Sequence, residues 1–565
     1  MKLSHAIAKY LVDKGVDVVF GYQGGSITHM IDSFDKYGIK YIQSYNEQGA
    51  GLAADAYARV SQVGFSVAIG TNGPGATNLI TAIANAYCDS VPIVFFTGQV
   101  HTYAMKKNDK IRQESFQEID ILSMVRYITK YAVTIMDKND ALFEINKALK
   151  IALDGRKGPV LIDIPVDVQG QDVEYKYSEF DIAKRKEDID IDNVLIALSR
   201  AKKPLIIAGG GIRAADAVDL FRFFIEKTGI PVVTSLMGLD VLPHDSEFFI
   251  GYMGTYGNRY ANLAVQNADV ILVIGSRLDV RQTGKQKDLF APNAIVIHVD
   301  VDECELGHYI DERIKIRSDI KVFLNCICKK KEIEQLDSYS DWKLQIIQWK
   351  THFPNEKEFD IESELNPNIY LKEVGERIPN HSVVTFDVGQ NQMWSAQSLR
   401  LIGDDFRIVS SGGLGTMGYS LPASIGAFFA DKTKKVFALM GDGGFQMNIQ
   451  ELQMISYYKA PIKIIVLKNN ALGLIRDIHE KYYERRYVGS VDGFSVPPLD
   501  KIAVAYNMRY FKISNYDDCN QLETIFRDER AWLIEIELIG NTYTRPELLG
   551  EDGLDHQSPY VSRKL

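Results

Sequence analysis

The fold is decided by Lys435-Val-Phe-Ala-Leu-Met-Gly-Asp-Gly443 and by the later pair Asn469-Asn470. The apolar run 435–440 predicts a buried strand, and the glycines after it allow a tight turn with backbone N–H groups close to an anion. Asn448 and Glu451 have the spacing of a capping box, which predicts a helix from residue 448 to about 459. Residues 462–467 form the next predicted strand, so the segment is a βαβ unit.

A parallel crossover brings the ends of both strands to one edge of the sheet. Asp442 and Asn469 are therefore expected to converge, although 27 residues separate them. Mg²⁺ prefers a few protein oxygens together with phosphate oxygens and water. A tight turn with a surface Asp is the plain alternative for Gly441-Asp-Gly443 alone. The spacing, the asparagine and the βαβ context favour a magnesium diphosphate site and resemble the thiamine diphosphate (ThDP) signature.

Length and composition limit the function classes. The chain has 565 residues, which suggests about three domains, and it is 46% hydrophobic and 24% charged, as in soluble globular proteins. A net charge of −10 argues against binding to nucleic acid or an anionic membrane. Five scattered cysteines favour a reducing compartment. No apolar run approaches the roughly 18 residues of a membrane span, so a soluble cytoplasmic protein is expected.

Short apolar strands alternate with amphipathic helices throughout, which is typical of α/β domains with parallel sheets covered on both faces. Three blocks are predicted, at residues 1–175, 190–330 and 365–565. Charged stretches at residues 173–192 and 329–364 are predicted linkers, the second with an amphipathic helix near residues 341–349. The first and third blocks have similar size and pattern, as expected if one fold is used twice.

Two features of the first block could belong to a site. Glu47 lies between a predicted strand and a helix, where the helix dipole alone would stabilise a carboxylate. Gly73-Pro-Gly75 follows a strand and opens a helix, where backbone N–H groups can hold polar ligand groups. An ordinary turn between strand and helix is the plain alternative for the second feature.

Stretches in all three blocks resemble the catalytic subunit of acetohydroxyacid (acetolactate) synthases, a family of ThDP enzymes. They are residues 46–59, 71–79, 89–94, 97–100, 116–118, 158–165, 387–394 and 411–418. The resemblance implies a pyrimidine-binding domain (1–175), a central Rossmann-like FAD-binding domain (190–330) and a diphosphate- and Mg²⁺-binding domain (365–565). It also implies an active site between the pyrimidine domain of one subunit and the diphosphate domain of another, hence a homodimer or homotetramer.

The resemblance implies roles for individual residues. Glu47 would be the carboxylate that hydrogen-bonds to the aminopyrimidine of ThDP, and Gln117 and Met417 would join it as catalytic residues. Asp442, Asn469 and the carbonyl of Ala471 would bind Mg²⁺. The implied ThDP contacts are Gly73, Gln390, Asn391, Gly415, Met417, Gly443 and Gly444.

The central block implies a second cofactor. Gly209-Gly-Gly211 follows a strand but is not a GxGxxG fingerprint, so it is a weak motif alone. The similarity to FAD-binding segments of acetolactate synthases is stronger, and flavin there takes no part in net redox chemistry. Relic segments in a flavin-free relative are the alternative. The implied FAD contacts are Gly209, Gly210, Gly211, Thr234, Leu236, Met237, Gly275, Arg277, Asp279, Arg281 and Asp300.

Departures from the biosynthetic pattern concentrate around the expected acceptor site. Val166 replaces a family lysine, Ile478 replaces a tryptophan, and Gln23 replaces a proline. The loop between Val100 and Phe116 is longer than in the family. A solvated loop is the plain interpretation of its charges, and an anion site for a phosphorylated or nucleotide-linked acceptor is the alternative. The basic residues of this loop are Lys106, Lys107, Lys110 and Arg112.

The predicted function is a ThDP-, Mg²⁺- and FAD-dependent carboligase. It would decarboxylate pyruvate and transfer the two-carbon acetyl unit to a carbonyl acceptor, with a second 2-oxo acid giving acetolactate. The alternative acceptor is the ketone of a nucleotide-linked deoxysugar, which would give a branched sugar, and a different ThDP decarboxylase or oxidase is a lesser alternative. A non-enzymatic ThDP-fold protein need not retain Glu47, Asp442 and Asn469 together, which argues against that class.

Overall fold

The computed structural model describes residues 1–108, 110–183, 187, 189–358, 366–538 and 542–560. These residues form three six-stranded sheets, and every pairing within the three sheets is parallel. A short antiparallel pair follows the third sheet. In the part of the chain that is described, we find no helix with the length and apolar character needed to span a membrane.

The first sheet has the strand order β2-β1-β3-β4-β6-β5. Its strands are β1 (Val18–Gly21), β2 (Lys40–Gln43), β3 (Ser66–Gly70), β4 (Ile93–Gln99), β5 (Tyr131–Thr134) and β6 (Val160–Pro165). Its helices are α1 (Leu3–Asp13), α2 (Thr28–Lys36), α3 (Glu47–Val60), α4 (Pro74–Asn78), α5 (Ile80–Cys88), α6 (Ile121–Val125), α7 (Ala141–Leu153) and α8 (Val166–Gln169).

The central sheet has the strand order β12-β11-β10-β7-β8-β9. Counted within the sheet this is the Rossmann order, with a switch point between β7 and β10. Its strands are β7 (Pro204–Ala208), β8 (Val232–Thr234), β9 (Phe249–Tyr252), β10 (Val270–Ile274), β11 (Ile295–Asp300) and β12 (Ile314–Arg317). The helices are α9 (Ile191–Arg200), α10 (Gly211–Ala214), α11 (Val218–Thr228), α12 (Arg259–Asn267), α13 (Val280–Thr283), α14 (Ile320–Ile327) and α15 (Ser340–His352).

The third sheet has the strand order β14-β13-β15-β16-β18-β17, which repeats that of the first sheet. Its strands are β13 (Ser382–Phe386), β14 (Phe406–Ser410), β15 (Lys435–Gly441), β16 (Lys463–Lys468), β17 (Arg509–Ile513) and β18 (Trp532–Glu537), and the antiparallel pair is β19 (Glu547–Leu548) and β20 (Gln557–Ser558). The helices are α16 (Pro367–Arg377), α17 (Gln390–Ser398), α18 (Ser420–Ala430), α19 (Asp442–Met447), α20 (Leu452–Tyr458), α21 (Gly473–Tyr482), α22 (Leu499–Ala505) and α23 (Leu522–Arg527).

The predicted reuse of one fold in the first and third blocks is confirmed by this shared strand order. The amphipathic helix predicted near residues 341–349 is part of α15. Of the two predicted linkers, residues 184–186, 188 and 359–364 lie outside the described residues, as does residue 365, the predicted start of the third block.

The predicted helix from residue 448 to about 459 is wrong at its start. Helix α19 begins at Asp442, directly after the strand, and a short 3₁₀ turn separates it from α20. Asn448 makes no capping hydrogen bond, because its Nδ2 donates to the Gly418 carbonyl at 2.8 Å. The Glu451 carboxylate instead accepts from the Tyr45 N–H at 3.2 Å. Both side chains of the expected capping box therefore form hydrogen bonds with residues outside the helix.

Helices α3 and α18 join the first and third sheets within one chain. They approach at backbone distance, since a Cβ added at Gly426 would lie 1.9 Å from the Ala53 carbonyl oxygen. A buried polar cluster stabilises this contact. Arg59 pairs with Asp55 at 2.8 Å and with Asp89 at 3.0 Å. The Tyr419 hydroxyl of the third block donates to Asp55 at 2.5 Å. The two related sheets therefore share one core.

Candidate active site

The third sheet presents a buried carboxylate at its carboxyl edge. Asp442 ends the β15 turn, and its carboxylate accepts from the N–H groups of Gly443 at 2.8 Å, Asn469 at 3.1 Å and Asn470 at 2.6 Å. Burial raises the pKa of this carboxyl to about 6. The βαβ unit therefore brings Asp442 and Asn469 into contact at the ends of neighbouring strands.

The side chain of Asn469 is held in one orientation. Its Nδ2 donates to Gln390 Oε1 at 3.2 Å and to the Thr542 hydroxyl at 3.0 Å, while its Oδ1 accepts from the Ala471 N–H at 3.2 Å. Among the described residues, no group of three His, Cys, Asp or Glu side chains could hold a metal ion. A metal here would be shared between one carboxylate, one amide oxygen and a backbone carbonyl, which are the hard ligands Mg²⁺ accepts.

Next to this pair lies the turn after β15, in which Gly441 and Gly443 carry no side chain. Asn391 Nδ2 donates to the Val388 carbonyl at 3.3 Å, while its buried Oδ1 has no hydrogen-bond partner among the described residues. A Cβ added at Gly441 would lie 3.4 Å from Asn391 Nδ2. A Cβ at Gly443 would lie 2.8 Å from Leu472 Cδ2 and 3.1 Å from Met417 Cε. The side chains of Met417 and Asn391 thus lie against the glycine turn.

Two neighbouring positions, Gly415 and Gly444, also require glycine for structural reasons. Gly415 has φ of +73°, a left-handed conformation that favours glycine. A Cβ at Gly444 would lie 2.5 Å from Asp387 Oδ1, and Asp387 itself accepts from the N–H groups of Gly418 and Ser420 at 2.9 Å each. The loop that carries Met417 is therefore fixed by Asp387, with Gly444 packed against that carboxylate.

The first sheet presents its own buried carboxylate. Glu47 is the first residue of α3 and is 6% exposed. Its Oε2 accepts from Asn78 Nδ2 at 2.9 Å, the one side-chain hydrogen bond it makes among the described residues. A Cβ added at Gly75 would lie 3.0 Å from Glu47 Oε1. The carboxylate is thus oriented through one oxygen, with small residues around the other.

Gln117 and Gly73 meet beside this carboxylate. Both have left-handed backbone conformations, with φ of 63° and 62°, and a Cβ added at Gly73 would lie 2.8 Å from the Gln117 carbonyl oxygen. They line a cavity of about 490 Å³ together with Thr77 and Phe116. Phe116 is 84% exposed, so the mouth of this cavity displays a large apolar surface.

Glu451 connects the two sheet edges. Its buried carboxylate accepts from the Tyr45 N–H at 3.2 Å, just before α3, and burial raises its pKa to about 7. Within the described parts of the chain, no hydrogen bond or ion pair joins the Glu47 group to the Asp442 group. One chain therefore holds two separate half-sites, each at the carboxyl edge of its own sheet.

A larger cavity of about 1430 Å³ lies at the switch point of the central sheet. A Cβ added at Gly209 would lie 2.0 Å from the Gly275 carbonyl oxygen, and Gly275 has φ of +61°, so only glycines allow the two strand ends to approach. Thr234 is fully buried, and within the described residues its Oγ1 has no hydrogen-bond partner. The predicted FAD contacts that line the cavity are Gly210, Gly211, Leu236, Met237, Gly275, Arg277, Asp279, Arg281 and Asp300.

Charges of both signs face this cavity. Arg277 pairs with Asp279 at 3.2 Å, and Asp279 also caps α13 by accepting from the Arg281 N–H at 3.0 Å. Burial raises the pKa of Asp300 at the end of β11. The sequence predictions missed further lining residues, among them Asp89, Arg156 and Gly412.

One loop is shared between the central cavity and the Met417 region. Gly412 lines the cavity, and a Cβ added there would lie 2.4 Å from Met237 Sδ. Asp89 accepts from the N–H groups of Gly412 at 3.1 Å and Gly413 at 2.6 Å. The loop before α18 is thus packed between the cavity wall and the glycine turn that follows β15.

The residues that depart from the family pattern are accessible. Ile478 lies on α21 and is 43% exposed, Val166 begins α8 and is half-buried, and Gln23 is exposed. Glu118 holds the loop between Val100 and Phe116, the basic loop, in place. Its carboxylate accepts from the N–H groups of Glu114 at 2.8 Å and Ser115 at 3.2 Å. Within the described residues, none of the four cationic side chains of the basic loop forms an ion pair, and these are Lys106, Lys107, Lys110 and Arg112.

Comparisons with known proteins agree with this arrangement. Sequence models of thiamine pyrophosphate enzymes match over all three blocks: the N-terminal TPP binding domain at residues 1–124, the central domain at 191–327 and the C-terminal TPP binding domain at 387–536. The acetolactate synthase large subunit of Lactococcus lactis is 36% identical over 552 residues, which is 96% of this chain and 93% of the relative.

Two further relatives also match over more than nine-tenths of both chains. The acetolactate synthase isozyme 2 large subunit of Escherichia coli is 33% identical over 93% of both chains. The probable acetolactate synthase large subunit of Methanocaldococcus jannaschii is 34% identical over 95% of this chain and 92% of its own length. The chain belongs to the acetolactate synthase large-subunit family of thiamine pyrophosphate enzymes.

Proposed function

We propose that this chain is a ThDP- and Mg²⁺-dependent acetolactate synthase. Two pyruvate molecules would give one 2-acetolactate and one CO₂, because the first loses its carboxylate and its remaining two-carbon unit adds to the ketone of the second. The observation that carries the proposal is the contact between Asp442 and Asn469 at the third sheet edge. Family membership over nearly the whole chain supports the substrate assignment.

The residues at the third sheet edge fit Mg²⁺ and a diphosphate. Asp442, the Asn469 amide oxygen and the Ala471 carbonyl offer hard oxygen ligands. The turn at Gly441 and Gly443 carries no side chain, which would let phosphate oxygens approach its backbone N–H groups. Gln390, Asn391 and Gly444 lie around this turn. The Asn391 N–H₂ lies beside Gly441 and donates one N–H to the Val388 carbonyl, so its second N–H is available for an anion.

When bound, ThDP supplies the carbon nucleophile and the electron sink for decarboxylation of a 2-oxo acid. Glu47 would hold a proton at Oε1, since Asn78 occupies Oε2. A carboxylate that is buried and oriented in this way suits general acid–base work. Gly73 and Gln117 would bound the pyrimidine side, and Gly415 and Met417 would support the ring of the cofactor from the diphosphate side.

We infer that a second copy of the chain completes the site. Glu47 and Asp442 lie on different sheet edges, and the described contacts do not join them within one chain. Apolar side chains are exposed near both edges, including Phe116 at 84% and Met447 at 54%. Contact between the first sheet edge of one copy and the third sheet edge of another would bury such surface. A homodimer is the smallest assembly of this kind, and a homotetramer contains it.

The central cavity fits a dinucleotide, and we assign FAD to it. Its position at the switch point of a Rossmann-ordered sheet is where dinucleotides bind, and about 1430 Å³ exceeds an ordinary small-molecule pocket. The facing glycines Gly209 and Gly275 let a ligand approach the backbone, while Arg277 and Arg281 offer charge for a diphosphate. The proposed reaction involves no net oxidation or reduction, so the flavin would have a structural role.

This assignment gives a spectroscopic prediction. We expect the purified protein to be yellow with near-stoichiometric FAD, measured by absorbance after heat release, and the flavin should stay oxidised during turnover of pyruvate. A preparation stripped of flavin and reconstituted with FAD provides the control. A colourless, fully active protein would remove FAD from the function, and bleaching in each turnover would indicate an oxidase.

The function itself is tested by incubating the protein with pyruvate, Mg²⁺ and ThDP. We expect CO₂ release together with a product of the mass of acetolactate, and neither without ThDP. Release of CO₂ without acetolactate would indicate a simple decarboxylase. If no CO₂ forms under any of these conditions, the proposed function is wrong.

The four cationic side chains of the basic loop, which form no ion pair among the described residues, favour a second candidate acceptor, the ketone of a nucleotide-linked sugar. We expect neutralisation of Lys106, Lys107, Lys110 and Arg112 to weaken use of such an anionic ketone while sparing pyruvate self-condensation. Attraction between exposed charges is screened by salt, so the difference should shrink at high ionic strength. Product mass with a panel of acceptors provides the measurement.

Two observations control this test. Removing four exposed cations outside the loop, Lys331, Lys432, Lys501 and Arg527, should leave the acceptor preference unchanged. The wild-type protein should also select 2-ketobutyrate over pyruvate poorly, because Ile478 lacks the bulk of the family tryptophan and one missing apolar contact costs roughly 10–200-fold in preference. Strong 2-ketobutyrate selection with no reaction on any sugar ketone would eliminate this acceptor.

A further inference from the structure

Thr542 lies at the centre of a buried hydrogen-bond cluster beside Asp442. It follows the third sheet and is 3% exposed. Its hydroxyl donates to Gln390 Oε1 at 2.9 Å and accepts from Asn469 Nδ2 at 3.0 Å. Its carbonyl accepts from Gln390 Nε2 at 2.8 Å and from an Arg476 Nη2 at 2.6 Å. Nothing in the local sequence marks this threonine.

The donors and acceptors of these groups are consistent with only one orientation of the Gln390 and Asn469 amides. A carbonyl can only accept, so the Thr542 carbonyl requires the N–H₂ side of the Gln390 amide. Gln390 Oε1 then faces Asn469, and an oxygen can be matched only by the N–H₂ of the Asn469 amide. A flipped Asn469 would place its oxygen against Gln390 Oε1, which is an unpaired buried contact.

Asn469 Oδ1 is consequently directed away from Gln390 and Thr542, on the side where it meets the Ala471 N–H. The Thr542 hydroxyl imposes the same orientation on Asn469. Its proton goes to Gln390 Oε1, so it can only accept from Asn469, which requires the N–H₂ of that amide. Arg476, which is 4% exposed, fixes this hydroxyl by also donating to it at 3.2 Å. We propose that Thr542 is a positioning residue that sets the Asn469 amide orientation and thereby the affinity of the site for Mg²⁺. This inference rests on the proposed function, because it takes Asn469 as a metal ligand.

Loss of an outer partner of a metal ligand typically costs roughly 10–100-fold in metal affinity. Thr542→Val removes the hydroxyl but keeps the backbone carbonyl and the side-chain shape. The chain offers a matched control two residues later: Thr544 is 1% exposed, and its Oγ1 has no hydrogen-bond partner in the part of the chain that is described. Thr544→Val therefore makes the same chemical change in the same segment without removing a hydrogen bond.

The experiment titrates Mg²⁺ into the full-length apoprotein at saturating ThDP, followed by calorimetry and by recovery of activity. We expect Thr542→Val to raise the Kd for Mg²⁺ roughly 10–100-fold, with kcat largely recovered at saturating Mg²⁺. Thr542→Ser, which retains the hydroxyl, and Thr544→Val should both match the wild type. If Thr542→Val does not fold, Thr542→Ala replaces it, since it removes the same hydroxyl with less bulk.

Three outcomes would overturn the inference. The first is a Kd for Thr542→Val within about twofold of the wild-type value, and the second is an equal shift in Thr544→Val, which would indicate a general packing effect. The third is a failure of Thr542→Ser to restore affinity. A wild-type protein that binds no Mg²⁺ with ThDP would instead overturn the proposed function itself, so the two failures are distinguishable.

Discussion

Glu47→Gln should slow pyruvate turnover by roughly 10²–10⁴-fold, the usual contribution of a general acid–base group, while the fold and ThDP binding persist. The amide can still accept from Asn78 as the carboxylate Oε2 does at 2.9 Å, so the start of α3 should not move. It cannot exchange a proton at the position of Oε1. Exchange of the C2 proton of bound ThDP with deuterium, followed by rapid-quench NMR, measures this effect directly.

Glu451 provides the matched control for Glu47. Both carboxylates are buried near the start of α3, but Glu451 accepts a backbone N–H from Tyr45. Glutamine can keep that bond through its amide oxygen, so Glu451→Gln should change exchange far less than Glu47→Gln. An unchanged exchange rate in Glu47→Gln would reduce Glu47 to a residue stabilised by the helix dipole.

The two strands predicted from apolar runs, at residues 435–440 and 462–467, are β15 and β16, and both lie inside the third sheet. The edge strands β12 and β17 instead carry charged residues among the apolar ones. An edge strand is partly solvated, as in β5, where all residues are half-buried. Its sequence therefore lacks the continuous apolar run by which a buried parallel strand is recognised.

The same limit applies to the candidate site. Glu47, Asp442 and Asn469 adjoin turns or helix starts with a local sequence pattern, and the order of strands brings Asp442 to Asn469. The local pattern at Glu451 predicts a helix cap and not its actual contact, and Thr542 carries no pattern at all, because the partners of both are remote. Tyr45 is 406 residues from Glu451, and Gln390 is 152 residues from Thr542. Such contacts depend on how the sheets pack together, which local periodicity does not encode.

Asp442→Asn should lower the affinity for Mg²⁺ in the presence of ThDP by more than the roughly 10–100-fold that loss of an outer partner costs. The substitution keeps the side-chain size but removes the one negative charge among the three proposed ligands. Excess Mg²⁺ should therefore restore little activity, in contrast to Thr542→Val. Calorimetric titration of the apoprotein with Mg²⁺ at saturating ThDP gives the Kd.

Asp387→Asn is the informative comparison for Asp442→Asn. Asp387 is also buried at the end of a strand, and burial raises its pKa to about 6, as it does for Asp442. It too accepts three backbone N–H groups, from Val388, Gly418 and Ser420, so both variants disturb the same kind of anchor. We expect Asp387→Asn to lower the thermal midpoint and leave the Kd for Mg²⁺ within a small factor. If both variants lost Mg²⁺ affinity equally, the effect of Asp442 would be that of a fold anchor, and the metal would have to be assigned to other ligands.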